Sequence, residues 1–149
     1  MDAKRREALK TGSLLALLLA AGIVRPGEAL AQDAFAVKTL KEALQALGAG
    51  TPAASDAILI KAPEIAENGA VVPVAVESKL PGTQAIALLI EKNPQPLAAS
   101  FSIPGGTEAN VSTRVKMGET SDVYALVKAD GKFYLAKKEI KITLGGCGG

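Results

Sequence analysis

The chain has 149 residues, of which 48% are hydrophobic, 21% charged and only 3% aromatic, with no Trp. That length and balance describe one globular domain with an aliphatic core rather than a disordered chain. With no His and a single Cys, the chain cannot assemble a Ser-His-Asp or Cys-His catalytic unit by itself. It also lacks the commonest zinc and haem ligand, and a formal charge of +2 offers no basic surface for nucleic acid.

The N-terminal segment reads as an export signal over residues 1–31. Lys4, Arg5 and Arg6 form a basic start, an apolar run follows from Leu14 to Val24, and Ala29-Leu30-Ala31 has the small-x-small form of a cleavage site. The apolar run is shorter than the roughly 20 residues of a membrane-spanning helix. The adjacent arginines in "KRREALK" match a twin-arginine signal, although Ala8 stands where a large apolar residue is usual. That route carries folded protein, so the chain is expected to fold, and to pair, before export to the periplasm. Cleavage after Ala31 removes five basic and three acidic residues and leaves twelve of each, so the mature chain is formally neutral.

Residues 33–50, "DAFAVKTLKEALQALGAG", predict one amphipathic helix. Val37, Leu40, Leu44 and Leu47 share a face, Asp33 is the expected N-cap and Gly48 the expected stop. The helix either packs on the rest of the domain or docks a partner. After Gly50 the pattern changes to period two. Strands are predicted in "DAILIKA", "GAVVPVAVES", "TQAIALLIEK", "LAASFSI", "ANVSTRVKM", "SDVYALVKA" and "KFYLAKKEIKITL". Pro73 marks its strand as an edge or a bulge. Val111, Thr113 and Val115 share a face. The "ADGK" between the last two runs is a hairpin signal. About seven short strands separated by turn material predict a mainly β fold, an antiparallel β-sandwich, over residues 32–144. Long helices do not alternate with the strands, which argues against a parallel α/β sheet.

The chain closes on "ITLGGCGG". Gly145, Gly146, Gly148 and Gly149 surround Cys147, and such a segment is conformationally permissive. Residues 145–149 form an expected swinging arm, spanning roughly 12 Å root-mean-square as a Gly-rich coil and about 17 Å when stretched. It would place a thiol with no bulky neighbour into a narrow channel of another protein. A thiol acts as its thiolate, with a usual pKa near 8.5. The nearest cations in sequence, Lys137, Lys138 and Lys141, lie on the last strand, and no His is available to help. The chain is therefore read as presenting the sulfur while partner enzymes act on it. An odd Cys in an exported protein is equally a candidate for intermolecular pairing, including disulfide-linked dimers through Cys147.

"APEIAENGAVVPVAVES" (residues 62–78), "EKNPQPLAASF" (91–101), "STRVKMGETSDVYALV" (112–127) and the closing "GGCGG" resemble the SoxY family, the sulfur-carrier subunits of the periplasmic thiosulfate-oxidising (Sox) system. The resemblance implies an immunoglobulin-like β-sandwich and a heterodimer with a second sandwich subunit, SoxZ. It implies that Cys147 is the covalent attachment point. A c-type cytochrome enzyme would couple thiosulfate to it as a cysteine S-thiosulfonate. A dimanganese hydrolase would release sulfate, and a molybdenum-haem sulfane dehydrogenase would oxidise the remaining sulfane sulfur. On this reading the chain is not an enzyme. It has no catalytic residue, metal or cofactor of its own beyond the covalently bound substrate. It contacts neither nucleic acid nor, once the signal is cleaved, a membrane.

Other readings belong to other classes. A thiol peroxidase needs an environment that lowers the thiol pKa, and the glycine tail supplies none. A structural or assembly subunit would carry the tail incidentally. Ubiquitin-like sulfur carriers also end in Gly-Gly, but the export signal and Cys147 argue against that class. Glu64 and Glu67 in "PEIAENG" could serve as metal ligands or an acid-base pair; with no His or further acid nearby they read as solvated charges of a turn.

Overall fold

The computed structural model describes residues 34–143. The export signal expected over residues 1–31 and the motif Gly145, Gly146, Cys147, Gly148, Gly149 lie outside the described residues, as does the expected N-cap Asp33.

Helix α1 spans Leu40–Ala46, with Thr39 as its N-cap. The expected helix is thus shorter at its start, and residues 34–36 form a separate helical turn. The reason is local. Thr39 stands three residues before Glu42, and its hydroxyl accepts the Glu42 backbone N–H at 3.2 Å. The Glu42 carboxylate in turn accepts the Lys38 N–H at 3.4 Å, a variant of the capping box. At the other end, the Gly48 N–H donates to the Gln45 carbonyl and the Ala49 N–H to the Leu44 carbonyl. This is the Schellman pattern, as Gly48 predicts.

Among the described residues nine strands follow: β1 (Ala53–Ala54), β2 (Ile58–Lys61), β3 (Ile65–Ala66), β4 (Val72–Ser78), β5 (Thr83–Ile90), β6 (Leu97–Ser102), β7 (Asn110–Val115), β8 (Ser121–Ala129) and β9 (Lys132–Ile142). The seven longer ones fall on the seven predicted runs. One sheet has the order β1-β9-β8-β5-β6, with β3 also on β9; the other is β2-β4-β7. All pairings among the longer strands are antiparallel. The two-residue strands β1 and β3 add short parallel pairings to β9, which the sequence pattern does not foretell. β3 lies inside the segment read as a turn.

The strand alternation builds three layers. Val72, Val74 and Val76 of β4 meet Ile86, Leu88 and Ile90 of β5 and Val123, Ala125 and Val127 of β8 in the sandwich core. The opposite face of the larger sheet, with Ala87, Leu89, Leu97 and Leu126, is covered by Ala43, Leu40, Leu44 and Leu47. β5 is therefore buried without interruption from Ile86 to Ile90, because both of its faces are covered. Burial of such side chains supplies the dominant stabilising term, about 1.5–3 kcal/mol for each large aliphatic residue. The helix packs on its own domain through the predicted face.

Two local expectations come out differently from each other. In the β8–β9 hairpin, Asp130 and Gly131 have φ of 49° and 75° and Ala129 pairs with Lys132, the two-residue turn with both central φ positive that Asp-Gly favours. Pro73, by contrast, lies on the central strand of its sheet and not at a bulge. It is tolerated because β2 ends its pairing at Ala75, so among the described residues Pro73 has a strand partner on one side alone, Arg114 of β7.

Candidate functional site

β9 is the element that leads toward Cys147. Its final residues are held on both sides. The Lys141 N–H donates to the Glu64 carbonyl at 2.9 Å and the Thr143 N–H to the Ala66 carbonyl at 3.1 Å. On the other side, Ser121 of β8 pairs with Ile140, and the Ile142 N–H donates to Thr120 Oγ1 at 2.9 Å. Thr143 is the last described residue, and Cys147 is four positions further along the chain. Covalent geometry alone limits that separation to about 14 Å.

Three loops gather around the end of β9. Asn93, between β5 and β6, donates through Nδ2 to the Lys116 carbonyl at 2.7 Å and accepts the Gly118 N–H at 3.2 Å. The Lys92 N–H donates to Ser121 Oγ. The Met117 N–H donates to the Gly69 carbonyl at 2.7 Å. The β3–β4, β5–β6 and β7–β8 connections are thereby tied into one rigid pole of the sandwich. Between them a shallow pocket of about 290 Å³ is lined by Lys92, Glu119, Thr120 and Ile142.

The cations near the end of the chain differ from those the sequence suggests. Lys137 pairs with Asp122 at 3.5 Å, and the Lys138 ammonium donates to the Ala62 carbonyl at 2.7 Å. Lys141 is exposed on β9. Lys92 joins this pole from far back in the chain, in the "EKNPQP" turn. The only signal for it in the sequence is that a lysine sits at a strand end, which is too common to single it out. Glu64 and Glu67 are both exposed, on either side of the buried Ala66. Among the described residues no three His, Cys, Asp or Glu side chains are grouped to hold a metal ion, and no helix is long and apolar enough to cross a membrane.

Two titrating groups are displaced by their surroundings. The Glu77 carboxyl is held below its ordinary value of 4.5 by the hydrogen bond from Lys61 and by that ammonium's charge. Burial under the helix layer raises the Tyr124 hydroxyl above its ordinary 10.0, and the Glu91 and Asp122 carboxylates push in the same direction.

The sulfur oxidation protein SoxY family matches residues 43–147, a span that includes Cys147. The structure is similar to that of the sulfur carrier protein SoxY from Chlorobium limicola f. thiosulfatophilum, with a TM-score of 0.64 and 38% identity over 77% of this chain and 96% of that one. Two structures of superoxide reductase (neelaredoxin) from Ignicoccus hospitalis match at 22% identity, with TM-scores of 0.51 and 0.52, covering 58% of this chain and 79% and 80% of theirs. That second likeness is one of fold, a shared immunoglobulin-like sandwich. No curated protein sequence matches the chain. By the extent of the family match and by its likeness to the Chlorobium protein, the chain belongs to the SoxY family of sulfur oxidation proteins.

Proposed function

We propose that the chain is a periplasmic covalent carrier of sulfur substrates in thiosulfate oxidation, with Cys147 as the attachment point. The observation that carries this reading is the family match running through Cys147. It is supported by 38% identity to a protein described as a sulfur carrier, and by a last strand pinned as far as Thr143. The domain provides a rigid base, and the chain beyond it provides the thiol.

The chemistry follows from the thiol. Coupling joins the Cys147 sulfur to the outer sulfur of thiosulfate, releases one proton and passes two electrons to a c-type cytochrome partner. Hydrolysis of the resulting S-thiosulfonate by a dimanganese partner adds one water, releases hydrogen sulfate and leaves a persulfide on Cys147. A sulfane dehydrogenase then oxidises that sulfur. The carrier performs none of these steps; it keeps the intermediate covalently bound while active sites change. Glycine on both sides of Cys147 admits the sulfur to channels that branched side chains would block. SoxZ is the proposed permanent partner, and the twin-arginine signal is the proposed route by which the folded pair is exported.

The test is intact-mass spectrometry of the protein purified from cells grown on thiosulfate, before and after reductant. A reductant-sensitive mass gain of thiosulfate or added sulfur, mapped to the peptide holding Cys147, is the expected result. A bare thiol, even with the coupling enzyme supplied, would overturn the reading and favour a structural or assembly subunit.

A further inference from the structure

The chain has three asparagines, Asn68, Asn93 and Asn110, and of these Asn68 alone is followed by glycine. A side-chain carboxamide can be attacked by the backbone nitrogen of the next residue, and glycine hinders that attack least. Asn93 cannot react in this way, because Pro94 has no N–H to lose. Asn110 precedes the β-branched Val111 on β7, where its backbone is fixed opposite Glu77.

The fold arranges Asn68 for the attack. The residue is exposed in the β3–β4 connection, and its Oδ1 accepts the Ala70 N–H at 3.0 Å. The ring closed by that hydrogen bond contains both the Asn68 Cγ and the Gly69 nitrogen, so electrophile and nucleophile are held together. Negative charge develops on Oδ1 as the nitrogen adds, and the Ala70 N–H is already aimed at that oxygen. The Val71 N–H donates to the Asn68 carbonyl at 3.3 Å and the Met117 N–H to the Gly69 carbonyl at 2.7 Å, which fixes the turn around the reacting pair. The Gly69 N–H itself has no acceptor among the described residues. The pair Asp130-Gly131 is arranged in the opposite way. There the Gly131 N–H donates to Gln84 Oε1 at 3.0 Å, the Asp130 side chain lies against Gly82, and a carboxylate is a poor electrophile.

We propose that Asn68 is a modification site at which the folded chain promotes its own deamidation. The Gly69 nitrogen loses its proton to solvent and bonds to Cγ. The Cγ–Nδ2 bond then breaks and ammonia leaves, giving a succinimide. Water opens either of the two ring C–N bonds. One opening leaves aspartate at position 68 with the original backbone; the other leaves isoaspartate, whose backbone runs through the side-chain carbon. No oxidant or partner takes part. Isoaspartate lengthens the backbone by one carbon just before Gly69, where even a Cβ would overlap the Met117 carbonyl. It therefore breaks the Gly69–Met117 tie between the β3–β4 and β7–β8 connections, and either product adds a negative charge next to Glu67.

The test incubates the full mature chain at neutral pH, folded and in urea. Mass spectrometry follows the peptide holding Asn68, and isoaspartyl methyltransferase labelling follows the isoaspartate. The folded chain is expected to convert faster than the unfolded one by about threefold or more, a modest share of what a preorganised donor supplies in an active site. Ala70→Pro removes the N–H that Oδ1 uses, and should bring the folded rate down to the urea rate. In the separated isoaspartate form, the Met117 amide should exchange faster. A folded rate equal to or below the urea rate overturns the proposal, and this comparison decides the matter if Ala70→Pro does not fold. An undiminished rate in folded Ala70→Pro overturns it as well. Unchanged Met117 exchange in the isoaspartate form overturns the loss of the tie.

Discussion

Thr120 Oγ1 accepts the backbone N–H of Ile142 at 2.9 Å, so a side chain of the β7–β8 loop completes the hydrogen bonding of the last strand on the side where the pairing with β8 ends at Ile140. The domain thereby holds its chain in register as far as Thr143. Thr120→Val keeps the shape and removes the acceptor. The half-buried Ile142 N–H is then left without a partner, at a cost of about 1–3 kcal/mol. Hydrogen exchange at Ile142 and Thr143 should accelerate, while exchange at Val123 and Val127 in the middle of β8 stays slow.

Gly69 lets two loops approach each other. A Cβ built there would overlap the carbonyl oxygen of Met117 and come within 3.2 Å of Ile142 Cγ2. The obstacle is backbone already committed to the bond between the Met117 N–H and the Gly69 carbonyl, so it cannot swing aside. Gly69→Ala should destabilise the domain by about 1–3 kcal/mol, the usual cost of overpacking. The urea midpoint reads this; an unchanged midpoint would show that the two loops are not tied at this pole.

Tyr124 gives the fold an alkaline signature. Its hydroxyl titrates above 10.0 because burial, together with the Glu91 and Asp122 charges, disfavours the phenolate. A raised folded-state pKa means that the neutral ring's contribution is complete below pH 10 and is lost as pH rises through the raised value. Urea midpoints measured between about pH 9 and 12 should fall, and Tyr124→Phe should remove part of that fall. Phenolate absorbance should show one tyrosine titrating late in the wild type.

Cys147→Ser should abolish covalent loading and leave stability within about 0.5 kcal/mol of the wild type, the usual range for substitutions away from the core. Thermal unfolding and intact mass after thiosulfate treatment with the coupling enzyme check the two halves of this expectation. Persistent adduct formation in the variant would place the attachment elsewhere.

Much of this protein follows from local sequence. Strand alternation in "SDVYALVKA" and "KFYLAKKEIKITL", the Asp130-Gly131 turn and the Gly48 stop are short-range patterns, and each encodes a conformation through its own backbone and side chains. The candidate attachment point was also legible, because one Cys set among four Gly is a feature of composition and needs no partner to be recognised. Tertiary structure decided the rest. β1 and β3 exist because β9 offers an edge to two-residue segments that have no strand pattern of their own. Pro73 sits in a central strand because β2 stops short of it. Lys92 reaches the end of β9 because β5 runs antiparallel to β8, and β8 antiparallel to β9. These are relations between residues distant in sequence, and no local periodicity encodes which strand will lie beside which.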